Sequence, residues 1–139
     1  MEIKSYSSLP EEAAFIRTEV FMKEQGFKDE FDDIDEISTH LVLFIDSEPA
    51  GVCRYYFSEE KNQYIVGRIA VLKKFRGQKL GSHILLAAEE EIKNKGGKVS
   101  SLSAQVRASE FYEKMGYKKE GEIFYDEYCP HIWMHKTLL

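Results

Sequence analysis

From Gly67 to Ser82 the chain reads Gly-Arg-Ile-Ala-Val-Leu-Lys-Lys-Phe-Arg-Gly-Gln-Lys-Leu-Gly-Ser. A β-type run stops at a basic loop, and a small-residue turn then opens a helix, an order that belongs to folds in which strands feed helices. Gly77 can turn the chain tightly at positive φ, and Gly81 and Ser82 leave room for a bulky group at the helix start. The first amides of that helix have no intrahelical partners and form a ready site for phosphate oxygens. Lys73, Lys74, Arg76 and Lys79 surround the site with positive charge in a chain of net charge −5. This is the physical profile of a pyrophosphate grip.

The rest of the chain alternates strands and helices around that turn. Ile3 to Tyr6 reads as a first strand. Ser8-Leu9-Pro10-Glu11 has capping-box spacing with proline in the opening turn, so a helix is expected from Pro10 to Glu24, with Gly26 as its stop. His40 to Asp46 and Gly51 to Phe57 read as a hairpin joined at Ser47-Glu48-Pro49-Ala50. Gln63 to Val71 is the strand that enters the basic loop. From Gln78 to Lys95, Leu80, Ile84, Ala88 and Ile92 recur every four residues, and Gly96-Gly97 closes that helix. Lys98 to Ala104 is a strand, Ala108 to Met115 a short helix, and Tyr117 to Phe124 and Ile132 to Thr137 complete the sheet. The expected fold is α/β: one domain over residues 1–139, a mixed sheet with helices on both faces.

Composition removes several function classes. A 43% apolar, 31% charged chain of 139 residues suits one ordinary globular domain. The acidic balance argues against a nucleic-acid partner, which favours net basic surface. Met1-Glu2-Ile3-Lys4-Ser5 has no apolar leader core, and no run approaches membrane-spanning length, so no membrane is expected. Cys53 and Cys129 stand far apart without a Cys-x-x-Cys pair, which points to no metal, no disulfide framework and a cytoplasmic setting.

Ile69-Ala70-Val71 followed by Arg76-Gly77-Gln78-Lys79-Leu80-Gly81 resembles the acyl-coenzyme A signature of the GNAT N-acetyltransferases, Arg/Gln-x-x-Gly-x-Gly/Ala. Lys79 stands where the middle glycine is usual, and the whole element order is similar to that family's. The resemblance implies acetyl-CoA as co-substrate and two parallel central strands, Gln63–Val71 and Lys98–Ala104, that splay apart. It implies that Ile69, Ala70 and Val71 line the pantetheine arm with backbone groups. Arg76, Gly77, Gln78, Lys79, Leu80, Gly81 and Ser82 would surround the pyrophosphate.

Two further segments carry roles. Ala108-Ser109-Glu110-Phe111-Tyr112-Glu113-Lys114-Met115-Gly116-Tyr117 resembles the family's Ala-x-x-Phe-Tyr-x-x-x-Gly-Phe/Tyr element, whose tyrosine protonates the departing thiolate. A phenol of pKa ~10 suits that task; the plainer reading makes Phe111 and Tyr112 a buried aromatic pair. Pro130-His131-Ile132-Trp133-Met134 resembles the closing strand of the glyphosate-acetyltransferase branch, whose histidine is the general base. Imidazole is suited to deprotonating an ammonium near neutral pH; the plainer reading makes His131 a cap at a strand start. His83 and His135 read as surface or satisfied histidines, Cys129 as a loop cysteine, and Glu24 or a water chain as the reserve base. Met22, Gly67 and Gln105 fall where that branch carries anion-gripping arginines, leaving Arg17, Arg54, Arg68 and Arg107 as the available cations.

Six of the eight residues from Asp29 to Glu36 are acidic. Such a run is ordinarily a solvated, self-repelling loop; the sharper reading is a collar drawing cationic amines to an acceptor pocket. The combined expectation is an acetyl-CoA-dependent N-acetyltransferase acting on a small-molecule or peptide amine. The alternative is a non-catalytic acyl-CoA-sensing module. A P-loop enzyme is disfavoured because Gly81-Ser82 has no lysine between. The acceptor and the oligomeric state, a homodimer included, stay open at this point.

Overall fold

In a computed structural model, which describes residues 1–139, the strands are β1 (Glu2–Tyr6), β2 (Thr39–Ile45), β3 (Glu48–Ser58), β4 (Gln63–Val71), β5 (Val99–Gln105), β6 (Lys118–Asp126) and β7 (Cys129–Thr137). The α-helices are α1 (Glu11–Arg17), α2 (Leu80–Asn94) and α3 (Ser109–Lys114). All strands form one sheet in the order β1-β2-β3-β4-β5-β7-β6, and β4–β5 is its parallel pair.

That parallel pair opens the sheet. Its ladder covers only Tyr64–Ser100, Ile65–Ser101 and Val66–Leu102. On the other edge of β4, Gly67 pairs with Arg54 and Ala70 with Val52, so Arg68 and Ile69 together oppose Cys53. This is a β-bulge, with Arg68 at φ 55°, and a bulge bends its strand and adds twist. Beyond Val66 the upper half of β4 leaves β5 and a wedge opens between them. The expected splay of Gln63–Val71 from the following strand is present.

Both faces are covered. On one, Ala13, Ile16 and Val20 pack on Val42, Phe44, Val52 and Ala70. On the other, Leu80, Ile84, Leu85, Ala88 and Ile92 of α2 meet Leu41, Leu43, Tyr55, Val66, Leu102 and Met134. α2 ends where a side chain would not fit: a Cβ on Gly97 would lie 2.4 Å from Ile92 Cγ2 and 2.9 Å from Tyr64 Cδ2.

Several local expectations are corrected. Pro10 is the N-cap of α1 without any side-chain cap, so the Ser8–Glu11 capping box does not form. The helix expected to run to Glu24 is α-helical only to Arg17 and continues as a π-helix, Thr18–Glu24. The β2–β3 hairpin turns on Asp46 and Ser47, at φ 49° and 68°, the two left-handed residues that match strand twist. Pro49 and Ala50 are therefore inside β3. β7 starts at Cys129, so Cys129 is a buried strand residue and His131 lies within the strand rather than capping it.

Candidate active site

The wedge between β4 and β5 is a cleft of about 240 Å³. Val66–Ile69 form one side and Leu102, Ser103 and Gln105 the other, Phe21 and Phe27 one wall, and Tyr112 and His131 both line it. Residues 112 and 131, remote in sequence, are thus brought to one cavity. The π-helix shapes its mouth. Its wider turns, closed by Gln25 N donating to Val20 O at 3.0 Å, set Phe21 and Gln25 on the cleft, in keeping with the frequent use of π-turns at functional sites. Gln105 Nε2 donates to Gln25 Oε1 at 2.8 Å, Arg107 Nε donates to Gln105 Oε1 at 2.8 Å, and the Tyr128 hydroxyl donates to Gln25 O.

His131 is 7% exposed and pairs with Gln105 on one side and Phe124 on the other. The Phe124 ring stacks on it at 5.9 Å. Its Nδ1 lies 3.0 Å from Cys129 O; a carbonyl only accepts, so Nδ1 carries the hydrogen. In the neutral ring Nε2 then holds the lone pair. Tyr112 is half-buried, its ring set edge-on to Phe111 at 5.0 Å and to Tyr117 at 6.1 Å. Burial pushes its phenol up, with Cys53 adding to the effect, which keeps the hydroxyl protonated and able to donate. Burial likewise raises the Cys53 and Cys129 thiols, so neither is an activated nucleophile. His135 pairs with Glu120 at 2.8 Å and His83 is exposed.

The basic loop continues directly from the cleft. The backbone amides of Gly77, Gln78, Lys79, Leu80, Gly81 and Ser82 donate to no backbone carbonyl; the ladder resumes with His83 N on Lys79 O at 3.2 Å. Gly77 sits at φ 86° as expected, and Lys79, the N-cap of α2, at φ 61°. The usual glycine at position 79 therefore has a conformational reason, and lysine here adopts the left-handed region despite its Cβ. At Gly81 a Cβ would meet Phe111 Cζ at 3.6 Å, an ordinary contact, so α3 packs beside the start of α2 without demanding glycine there. Leu72 N donates to Ala50 O at 2.9 Å, which makes Val71–Gly51 the adjoining wide pair. By the alternation of antiparallel ladders, the Val71 N–H and C=O point away from β3, toward the open wedge.

Arg76 is already engaged. Its Nη1 and Nη2 donate to Glu24 Oε2 and Oε1 at 2.6 and 2.7 Å, and its Nε donates to Val71 O at 2.9 Å. That bond takes one of the two backbone groups of Val71. The Arg76 guanidinium holds the Glu24 carboxyl below its ordinary range, which removes Glu24 as a reserve base.

The acidic run is only in part a solvated loop, with Asp29, Asp32, Asp33 and Glu36 exposed, and it is for the most part no collar. Glu30 and Asp35 are buried. Arg17 donates to Glu30 Oε2 at 2.8 Å and to Asp35 Oδ1 at 2.7 Å. Arg54 donates to Asp32 at 2.7 Å and Asp35 at 2.8 Å, and Arg68 Nε lies 2.8 Å from Glu30 Oε2. Three arginines thus meet three acids beneath the bulge. Burial alone would raise the Asp35 carboxyl, but Arg17 and Arg54 outweigh it and hold it at about 2; at Glu30 burial wins and the carboxyl is pushed up. Only Asp29 and Glu30 of the run line the cleft. Sequence reasoning missed this lattice, although Arg17 falls on the apolar stripe of Ala13, Ile16 and Val20, a spacing that demands a buried counterion.

Comparison with known proteins agrees with this geometry. The family model described as "Acetyltransferase (GNAT) domain" matches residues 6–138. The N-acetyltransferase YjcF of Bacillus subtilis is 34% identical over 128 residues, 90% of this chain and 90% of its own. A crystal structure from Lactobacillus plantarum, assigned as an N-acetyltransferase, superposes with TM-score 0.89 at 28% identity, covering 99% of this chain and 98% of that one. An aminoglycoside 6'-N-acetyltransferase solved with coenzyme A shares the fold alone, with TM-score 0.76 at 16% identity over 99% of this chain and 97% of its own.

Proposed function

Because the chain belongs to the GNAT acetyltransferase family, and is thereby an acyltransferase, we propose that it moves an acetyl group from acetyl-CoA directly to an amine within a ternary complex. The observation that carries this reading is the single cleft lined by both Tyr112 and His131, opening beside six consecutive free amides. The amides from Gly77 to Ser82, with Arg76, Lys79 and the flanking lysines, would hold the pyrophosphate. Ile69, Ala70 and Val71 would line the pantetheine arm along the open edge of β4. No group of three or more histidines, cysteines or acids stands close enough to hold a metal ion, and none is needed for the chemistry.

In the reaction, His131 Nε2 takes a proton from the acceptor ammonium and the freed lone pair attacks the thioester carbonyl carbon. The Val71 amide, aimed into the wedge, polarises the carbonyl oxygen as charge builds on it. As the carbon–sulfur bond breaks, Tyr112 gives its proton to the thiolate and regains one from the acylated nitrogen, which sheds its second proton to become the neutral amide. The proton on His131 leaves to solvent. Products are the acetylated amine and the free thiol of coenzyme A.

No helix is long and apolar enough to cross a membrane. Both cysteines are free and buried, which supports the cytoplasmic setting included in the proposal. The test follows free-thiol release from acetyl-CoA across a panel of primary amines. Amine-dependent release supports the reading; tight coenzyme binding with no release across the panel supports a sensor instead.

A further inference from the structure

Two exposed carboxylates of the cleft are used by no protein group. Asp29 and Asp126 both line it, and neither makes an ion pair or accepts a side-chain hydrogen bond. They are brought together by the β6–β7 turn. Glu127 accepts hydrogen bonds from the amides of Lys28 and Asp29 at 3.0 to 3.1 Å, and Tyr128 lies against Phe27 at 5.4 Å. The turn is therefore locked onto the loop after the π-helix, and the two acids stand at fixed positions.

Their relation to the reacting end follows from strand register. Asp126 pairs with Cys129 and Phe124 with His131, so Asp126 lies two residues along the strand from the imidazole, roughly 7 Å at ordinary strand rise. Cross-strand partners share a face, which puts Asp126 on the His131 side of the sheet. Phe27, buried and edge-on to His131 at 6.5 Å, lines the same cleft. An aromatic wall with free carboxylates in the same cleft favours an alkylammonium group. A second, independent feature points into the same space: the buried His131 ring, its Nε2 without any protein partner.

The cations of the cleft do not cancel the two acids. Arg68 is held by Glu30 and Asp32. Arg107 is tied through Nε to Gln105, with its remaining nitrogens exposed. One free guanidinium thus faces two free carboxylates.

We infer that the acceptor is a short dicationic alkylamine, its reacting nitrogen at His131 and its distal ammonium between Asp29 and Asp126. This rests on the acetyltransferase reading of the same cleft. The distal ammonium gains two ion pairs that a monoamine lacks, while a distal carboxylate meets like charge.

The experiment uses acetyl-CoA with three probes of one carbon skeleton: 1,4-diaminobutane, butylamine and 4-aminobutanoate, with the three- and five-carbon series as length controls. Thiol release should give kcat/KM for the diamine about tenfold above butylamine, with the aminobutanoate lowest. In Asp29→Asn/Asp126→Asn the diamine should fall to the butylamine value while butylamine stays within about twofold. Raising ionic strength should narrow the same gap. A diamine no better than butylamine, a preference for 4-aminobutanoate through Arg107, or a double variant that keeps the preference each overturns the inference while leaving acetyl transfer intact. Absence of release with every amine is the separate failure of the acetyltransferase reading, and it overturns this inference with it.

Discussion

Arg76 and Glu24 meet end to end, both terminal nitrogens of the guanidinium on both oxygens of the carboxylate at 2.6 and 2.7 Å. The pair joins the phosphate-type loop to the last residue of the π-helix, which in turn shapes the acceptor mouth. An arginine so neutralised contributes little net charge to an anionic ligand. Glu24→Gln should therefore tighten acetyl-CoA binding by about threefold, read as Kd by calorimetry, because a surface pair of this kind is worth up to ~1 kcal/mol. Weaker binding in the variant would mean that Glu24 aims Arg76 rather than competing for it.

Tyr112→Phe keeps the ring and its edge-on contacts with Phe111 and Tyr117 but deletes the hydroxyl. Turnover should fall on the order of 10²-fold with coenzyme Kd unchanged. Wild-type turnover in the variant would leave Tyr112 as packing and assign thiolate protonation to water.

His131 has its Nδ1 hydrogen committed to Cys129 O, so the base must work through Nε2. The acid limb of the wild-type kcat/KM profile should disappear in His131→Ala together with most of the activity. The coenzyme Kd should not move. A variant that keeps both the rate and the limb places the base elsewhere.

The fold was legible because its signals are local. Leu80, Ile84, Ala88 and Ile92 recur at helical spacing, and all four are buried on one face. Gly97 stops that helix because no side chain fits against Ile92 and Tyr64. The splay followed from the family resemblance; its physical cause, Arg68 at φ 55° in a bulge, carries no sequence signal, since arginine is a poor candidate for the left-handed region. The acidic run was read only in part, for the opposite reason: four of its six acids are exposed as a loop's would be, but Glu30 and Asp35 are buried. Composition says that like charges repel, but Arg17, Arg54 and Arg68 come from three elements and meet Glu30, Asp32 and Asp35 only after folding. The π-helix escaped notice because Thr18–Glu24 has an ordinary helical pattern, and its wider turns arise from tertiary contacts rather than composition.

Lys79 at φ 61° is a residue in strain at a place where glycine fits. Lys79→Gly should relieve about 1 kcal/mol of left-handed backbone cost, partly offset by glycine's greater freedom in the unfolded chain. Thermal unfolding should show Tm equal to or slightly above wild type. Coenzyme Kd should weaken by a few fold, the loss of one lysine beside the phosphates. A clear drop in Tm would show that the lysine side chain holds the loop.

The last prediction concerns the lattice beneath the bulge. Asp35 receives both Arg17 and Arg54, and breaking a buried pair leaves uncompensated charge, so Asp35→Ala should cost about 3 kcal/mol in chemical denaturation. The pH dependence has a definite sign. A carboxyl held at about 2 in the folded state, against ~3.9 unfolded, binds fewer protons when folded. Its stabilisation is complete above the unfolded value and is lost as pH falls toward about 2. Glu30, pushed up by burial, works in reverse: its contribution is present at low pH and fades as pH rises through its folded value. Asp35→Asn should therefore flatten the fall in stability between about pH 4 and pH 2, and because Arg17 serves both acids the Glu30 contribution above it should shift as well. Equilibrium unfolding at a series of pH values reads both slopes. A variant with wild-type stability and a wild-type acid slope would remove Asp35 as the residue that anchors Arg17 and Arg54.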